Sequence, residues 1–184
     1  MPISETFNNT VGTIVAFEGS AVPKATVNGL TGVGGNDWMR SNTNSMDNSD
    51  NAFDIEFVVK WGQMIQVGVS DGRNWGTWGG VWTLYLNQDG KIYITKTGVS
   101  NNTGGTHGLS LGDTATLRMK YESGTITAYV NGIQKHTYSA DLSSYTTMYP
   151  LLYTGTEDSD YIISYTEVVP SGGGISASKR SINC

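Results

Sequence analysis

The chain has 184 residues, of which 15% are charged and 24 are glycine, and its formal net charge is −5. This length favours one domain with a full core of its own. A net negative charge without a basic cluster excludes nucleic acid as an expected partner, because nucleic-acid binding requires a basic face.

The first residues, MPISETFNNTVGTIVAFEG, lack the basic start and the apolar run of a secretory signal. No apolar run in the chain approaches the roughly 18 residues of a membrane helix. Cys184 is the single cysteine, so no disulfide can form within the chain. We therefore expect synthesis in a cytoplasm without a signal peptide, no membrane partner, and a working place in a virion or another extracellular assembly.

The first third of the chain predicts little regular structure. Residues 13–17 read TIVAF, which is typical of a first strand. Residues 20–51 are rich in glycine, asparagine, serine and aspartate, and this composition predicts long loops with room for one short strand.

Residues 53–61 form the clearest strand pattern. Apolar side chains occupy every second position: Phe53, Ile55, Phe57, Val59 and Trp61. Asp54, Glu56 and Lys60 fall on the other face, with Val58 as the exception. This alternation predicts an antiparallel strand with its polar side chains facing solvent.

The remaining chain predicts a succession of short strands separated by turns. They cover residues 64–69, 82–86, 91–96, 117–122, 125–130, 133–138, 148–154 and 161–168. Asn131-Gly132 is the strongest hairpin signal, because both residues tolerate a positive φ. Ten or more strands at this spacing predict an all-β, two-sheet antiparallel sandwich or jelly roll. We assign residues 1–169 to this domain and residues 170–184 to a Gly-rich linker and a flexible C-terminal tail.

Three stretches, VGVSDGRN (67–74), LGDTATLRMKYESGTITAYVNG (111–132) and MYPLLYTG (148–155), resemble the SPRY-type and wider concanavalin A-like families. The pattern comprises Gly112-Asp113, the turn Tyr129, Asn131 and Gly132, and the pair Tyr149-Pro150. The resemblance covers residues 54–167. It implies a concanavalin A-like sandwich that binds proteins or glycans through its loops, and it assigns no role to any single residue.

One enzyme branch of that superfamily, the laminarinase-like hydrolases, carries a Glu-x-Asp-x-Glu strand. Here Asp54 and Glu56 match the last two acids, but Ala52 occupies the nucleophile position. Retaining hydrolysis requires two carboxylates in fixed roles. We therefore expect no enzymatic activity and no catalytic residue.

The stretch GRNWGTWGG predicts a candidate ligand site. Trp82 and Trp61 share the apolar side of predicted strands and are expected in the core, whereas Trp75 and Trp78 lie in a glycine-rich loop. Indoles in a loop stack on the apolar faces of sugars. The polar and aromatic neighbours expected to complete the site are Asp71, Arg73, Asn74 and Trp38. The alternative is that the loop indoles cover an open end of the sandwich as a hydrophobic lid.

Two oxygen-rich stretches, residues 47–51 and 157–160, have side chains that suit calcium, although neither fits an EF-hand loop. The alternative is that both are solvated acidic loops, and we expect no required cofactor and no metal site. His107 and His136 lack the partners and spacing of a zinc site.

Together these observations predict a non-catalytic, lectin-like recognition module displayed on a virus or phage particle. Capsid decoration, a minor capsid protein or a fibre component are the expected places, with host attachment as the use of glycan binding. The C-terminal tail is the segment expected to dock on a neighbouring capsid or fibre subunit. The alternative is a free-standing carbohydrate- or protein-binding module without a particle role.

Overall fold

The computed structural model describes residues 2–18, 24–31, 37–72, 80–96, 104–155 and 159–168. These residues form sixteen strands in two antiparallel sheets. Within the same ranges, no helix has the length and apolar content that a membrane crossing requires.

Sheet A contains eight strands. They are β1 Ser4–Thr6, β3 Lys24–Thr26, β4 Gly29–Thr31, β7 Ala52–Lys60, β12 Thr114–Glu122, β13 Thr125–Val130, β14 Ile133–Ser139 and β16 Tyr161–Glu167. Their order is β14-β13-β12-β7-β16-β4-β3, and β1 pairs with β16.

Sheet B also contains eight strands. They are β2 Ile14–Glu18, β5 Asp37–Ser41, β6 Met46–Asp47, β8 Ile65–Ser70, β9 Val81–Leu86, β10 Lys91–Lys96, β11 Gly105–Thr106 and β15 Thr147–Thr154. Their order is β11-β10-β9-β8-β15-β5-β2, and β6 pairs with β15.

The core consists of the apolar side chains that alternate along the strands of both sheets. Phe57 and Leu117 of sheet A and Val67 and Leu84 of sheet B belong to one buried cluster and are fully buried. Removing this apolar surface from water is the main force that holds the two layers together. The predicted two-sheet antiparallel sandwich is therefore confirmed.

The central strands also agree with their patterns. All five apolar residues of the 53–61 pattern are buried, and Trp82 is 3% exposed, as expected for core positions. Asn131 and Gly132 have φ values of 51° and 76°, so the predicted hairpin turn between β13 and β14 is confirmed.

The prediction of long loops over residues 20–51 is wrong. Strands β3, β4, β5 and β6 lie within this region. Strand β4 pairs with β16, and β5 pairs with β15, more than 100 residues away in sequence. These pairings come from distant segments, so short and polar sequences become strands without a local pattern that indicates them.

The expected solvent exposure of Asp54 is also wrong. Asp54 is 6% exposed, because the Arg118 guanidinium from the adjacent strand β12 covers its carboxylate and pairs with it. A charge can be buried when an opposite charge and hydrogen bonds replace the lost water.

Candidate functional site

The outward face of sheet B carries a line of mostly aromatic side chains. The strand registers place Trp38, Tyr153, Gln66, Tyr85 and Tyr93 opposite one another on the adjacent strands β5, β15, β8, β9 and β10. Directly opposed residues in a sheet point to the same side. We call this line the aromatic row. With strands about 4.8 Å apart, it extends over about 19 Å.

The aromatic row contains two ring pairs. The Trp38 and Tyr153 ring centroids lie 4.8 Å apart at an interplanar angle of 40°. The Tyr85 and Tyr93 centroids lie 6.0 Å apart at 33°. Trp38, Tyr85 and Tyr93 are half-buried, so part of their apolar surface faces water. Tyr153 is only 6% exposed, so the accessible aromatic surface lies at Trp38 on one side of Gln66 and at Tyr85 and Tyr93 on the other. A flat apolar ligand surface can stack on such exposed rings.

The ends of the tyrosine side chains are oriented by the turn between β9 and β10. The Tyr85 hydroxyl donates to Asn87 Oδ1 at 3.0 Å, and the Tyr93 hydroxyl donates to Asp89 Oδ2. Burial, with a smaller contribution from the Asp89 charge, raises the pKa of Tyr85. The hydrogen bond to Asp89 is the main cause that raises the pKa of Tyr93. Both phenols therefore stay protonated at neutral pH.

A second line of residues runs beside the aromatic row. It contains Arg40, Leu151, Gly68, Thr83 and Thr95 on the same five strands. The Thr83 hydroxyl lies 3.1 Å from Gln66 Oε1 and 2.6 Å from the Thr95 hydroxyl. These contacts connect the two lines and orient the Gln66 amide on the outward face.

Arg40 and Asp71 lie toward one end of this face. The Arg40 guanidinium lies over the Tyr149 ring, 5.6 Å from its centroid, and Arg40 Nη1 donates to the Gly72 carbonyl at 3.0 Å. The Asp71 amide donates to the Gly80 carbonyl at 3.1 Å. Asp71 also lines a depression of about 360 Å³ together with Tyr145 and neighbouring residues. Charged hydrogen-bonding groups therefore lie to one side of the aromatic row, toward the end of β8.

The structure describes two of the six predicted site residues, Trp38 and Asp71. Trp38 lies in the aromatic row, where it also packs against buried Val81 and Leu151, and Asp71 directly follows β8. The other four, Arg73, Asn74, Trp75 and Trp78, lie outside the described residues. Their roles stay predictions. Residues 73–79 connect Gly72 to Gly80, so they join the chain at the Arg40 and Asp71 end of the face.

Sequence reasoning missed most of the aromatic row. Tyr85 and Tyr93 lie within the predicted strands 82–86 and 91–96, and the alternation of Tyr85 with Leu84 and Leu86 is a usable signal that Tyr85 faces away from the core. The sequence alone does not predict that Tyr153 and Gln66 lie beside these tyrosines, because that proximity depends on the pairing of β15 with β8 and of β8 with β9.

The two oxygen-rich stretches have structural roles where they are described. Asn48 is buried, and its amide donates to the carbonyls of Leu142 and Tyr145. Asp160 is fully buried and its carboxylate accepts backbone hydrogen bonds at 2.7–3.1 Å from residues 62–64. The interpretation of these positions as a solvated acidic loop is therefore wrong for Asn48 and Asp160. Glu157 and Asp158 lie outside the described residues, and in the described part of the chain no three His, Cys, Asp or Glu side chains group as a metal site.

The fold is shared with several solved structures. A Bacillus subtilis carbohydrate-binding module, CBM66, superposes with a TM-score of 0.56 at 10% identity, covering 88% of this chain and 92% of that chain. The Caenorhabditis elegans galectin LEC-6 has a TM-score of 0.51 at 12% identity, with 87% and 99% of the two chains covered. A Bacteroides ovatus glycoside hydrolase family 16 endo-glucanase has a TM-score of 0.52 at 10% identity, with 91% and 94% covered.

These likenesses concern the fold, since the identities are low. They confirm the concanavalin A-like jelly roll, whereas the SPRY-type resemblance stays a prediction. The sequence matches no protein-family model and no curated protein. Because a binding module and an endo-glucanase both have this fold, function has to be argued from side chains.

Proposed function

We propose that this protein is a non-catalytic carbohydrate-binding module and that its ligand lies along the aromatic row of sheet B. The aromatic row is the observation that carries the proposal. Aromatic rings stack on the apolar faces of sugar rings, while Gln66, Arg40 and Asp71 supply amide, cationic and carboxylate partners for hydroxyls. Two proteins named for sugar recognition, a carbohydrate-binding module and a galectin, share the fold and add support.

The length of the aromatic row favours an extended ligand. A row of about 19 Å across five strands is longer than a single sugar ring and offers ring pairs near both ends. We therefore expect affinity to rise with the number of sugar units until the row is covered. A monosaccharide would contact only one pair of rings.

The proposal of a non-catalytic role is supported by where the carboxylates lie. The partial hydrolase motif, Asp54 and Glu56, is on β7 of sheet A, in the other layer from the aromatic row. Asp54 is engaged in a two-point pair with Arg118. The two lines of described side chains on the sheet B face contain no carboxylate pair of the kind that retaining hydrolysis uses.

The proposal is tested by a glycan array followed by titration calorimetry with the best oligosaccharide and its shorter homologues. Trp38→Ala and Tyr93→Ala should each weaken binding at least about tenfold, which corresponds to about 1.4 kcal/mol. Tyr129→Ala is the matched control, because Tyr129 is a half-buried aromatic residue on sheet A. Circular dichroism of each variant confirms that it is folded.

Equal affinity of the folded wild type, Trp38→Ala and Tyr93→Ala would exclude the aromatic row as the binding site. Absence of any glycan ligand on a broad array would exclude the function itself. Loss of binding in Tyr129→Ala alone would assign the site to sheet A, and an equal loss in all three folded variants would exclude a site confined to the aromatic row.

Display on a virus or phage particle, with host attachment through glycans, stays a prediction from composition, and so does the extracellular place of work. The alternative of a free-standing carbohydrate- or protein-binding module also stays open. The aromatic row suits both, because it occupies the face of sheet B and leaves the opposite layer available for assembly contacts.

A further inference from the structure

A groove of about 490 Å³ lies at the end of sheet A where β7 begins and β12 and β16 end. Phe53 and Tyr121 belong to the core and reach the groove only at its floor, where they are 5% and 2% exposed, with ring centroids 5.6 Å apart. Charged side chains from β6, β7, β12, the end of β16 and the turn before β7 surround it. We call it the sheet A groove.

The sheet A groove has a net negative charge. Five carboxylates line it, against the two cations Arg118 and Lys120. Arg118 pairs with Asp54 at 2.5 Å and Lys120 pairs with Glu122 at 2.6 Å, so both cations are neutralised within the groove. The carboxylates of Asp47, Asp50 and Glu167 therefore determine its charge, and Asp47 and Asp50 are exposed.

The chain leaves the sandwich at the wall of this groove. The Val168 amide donates to the Asp54 carbonyl at 2.9 Å, which fixes the last described residue beside the groove. The following sixteen residues of the sequence contain Lys179 and Arg180 and no acidic side chain. Their charge is therefore opposite to that of the groove.

The spacing allows these cations to reach the groove from which the chain departs. Ten residues separate Val168 from Lys179, and they include Ser171 and three glycines. A Gly/Ser-rich linker of ten residues has a root-mean-square extent of about 17 Å, which is enough to return to a groove beside the residue from which it starts. Because the tail is attached, its effective concentration at the groove is high, and a weak ionic contact becomes populated.

We propose that the segment 175–180 docks in the sheet A groove of its own chain. In the proposed arrangement, Lys179 and Arg180 pair with the exposed carboxylates of Asp47 and Asp50. The contact is mainly ionic and therefore weakens as salt rises. It leaves the aromatic row open, so tail docking and glycan binding are independent.

The test uses the full chain with a nitroxide attached to Cys184, the single cysteine, and measures the broadening of backbone amide signals by NMR. Signals of Asp47, Asp50 and Glu122 should broaden selectively, while those of Tyr85 and Tyr93 should not. The double variant Lys179→Ser/Arg180→Ser should reduce the broadening by more than half, and so should the exposed groove variant Asp50→Lys. The same reduction is expected in 1 M NaCl, where the Debye length is about 3 Å. Lys91→Ser, an exposed cation on sheet B, is the matched control and should leave it unchanged.

A mixed sample separates docking within one chain from docking between chains. Chains that carry the nitroxide but no isotope are mixed with isotope-labelled chains that carry no nitroxide. Selective broadening in this sample would replace the proposal with docking on a neighbouring subunit. Absence of selective broadening in the singly labelled chain, or its persistence in the Lys179→Ser/Arg180→Ser variant, would overturn tail docking altogether, and neither result bears on glycan binding.

Discussion

Asp54 and Arg118 form a two-point ion pair between neighbouring strands of sheet A. Arg118 Nε donates to Asp54 Oδ1 at 2.7 Å and Nη2 donates to Oδ2 at 2.5 Å. The guanidinium also lies 5.3 Å from the centroid of the Tyr129 ring. The hydrogen bond to Asp54 is the main cause that raises the pKa of Arg118. Lys120 and Glu122, in contrast, meet at the surface with side chains 33% and 61% exposed.

Removing the buried Asp54 carboxylate should therefore lower the free energy of unfolding more than removing the exposed Lys120 ammonium group. Asp54→Ala should lower the free energy of unfolding by about 1–3 kcal/mol, because it leaves a partly buried guanidinium without its carboxylate. Lys120→Ala is the control and should cost no more than about 0.5 kcal/mol, as exposed pairs do. Urea unfolding measures both. Equal effects of the two substitutions would show that burial of Asp54 adds nothing to this pair.

The β13–β14 hairpin is the element whose turn is most directly determined by residue type. Asn131 and Gly132 both have a positive φ, and the turn is attached to β12 because the Thr116 amide donates to Asn131 Oδ1 at 2.9 Å. A Cβ added at Gly132 would meet no atom within 4 Å. The need for glycine here is therefore conformational rather than steric.

Gly132→Ala should destabilise the domain by about 1 kcal/mol, because the left-handed backbone conformation is unfavourable for alanine and not for glycine. Gly132→Asn is the matched control and should cost less, since asparagine tolerates this conformation. Thermal unfolding of the three proteins gives the comparison. If alanine and asparagine are equivalent to glycine, the turn does not require a left-handed residue at this position.

At the scale of the whole molecule, two histidines couple stability to pH. His107 is buried beside the edge of Trp61, with ring centroids 4.6 Å apart. The Leu109 amide donates to its Nδ1 at 2.9 Å, so Nε2 carries the proton and donates to the Asn87 carbonyl at 3.2 Å. Protonation of Nδ1 would remove the acceptor of the Leu109 amide. Burial is the main cause that lowers the pKa of both His107 and His136 below 6.5.

The unfolded chain therefore binds more protons than the folded chain just below pH 6.5, and stability should fall as the pH decreases through this range. The free energy of unfolding in urea should be constant between pH 7.5 and 7 and should decrease toward pH 5.5. His136→Gln should make this decrease shallower. A flat or opposite pH dependence in both proteins would contradict the burial of neutral histidines.

The fold class could be predicted because its signals are local. Alternation over residues 53–61 and the Asn-Gly turn each depend on a few neighbouring residues, and both agree with the structure. Strands β3 to β6 could not be predicted in the same way. They are short, and the partners of β4, β5 and β6 are β16 and β15, which lie at least 100 residues further along the chain, while β3 pairs only with β4.

The candidate site could likewise be predicted only in part. Trp38 and Asp71 were predicted from residue type alone, because aromatic and carboxylate groups between glycines suggest a ligand site. Tyr153, Gln66, Tyr85 and Tyr93 could not be joined to them, since five strands from separate parts of the chain contribute to the aromatic row.

Residue type and spacing by themselves determined the all-β class, the core face of the central strands and the turn that needs a positive φ. Each is a property of adjacent residues, because side-chain alternation and φ preference act within a few positions. Strand order, the burial of Asp54 and the aromatic row were decided only by the tertiary structure. They arise from pairing between strands far apart in sequence, and the registers of those pairs bring the side chains together.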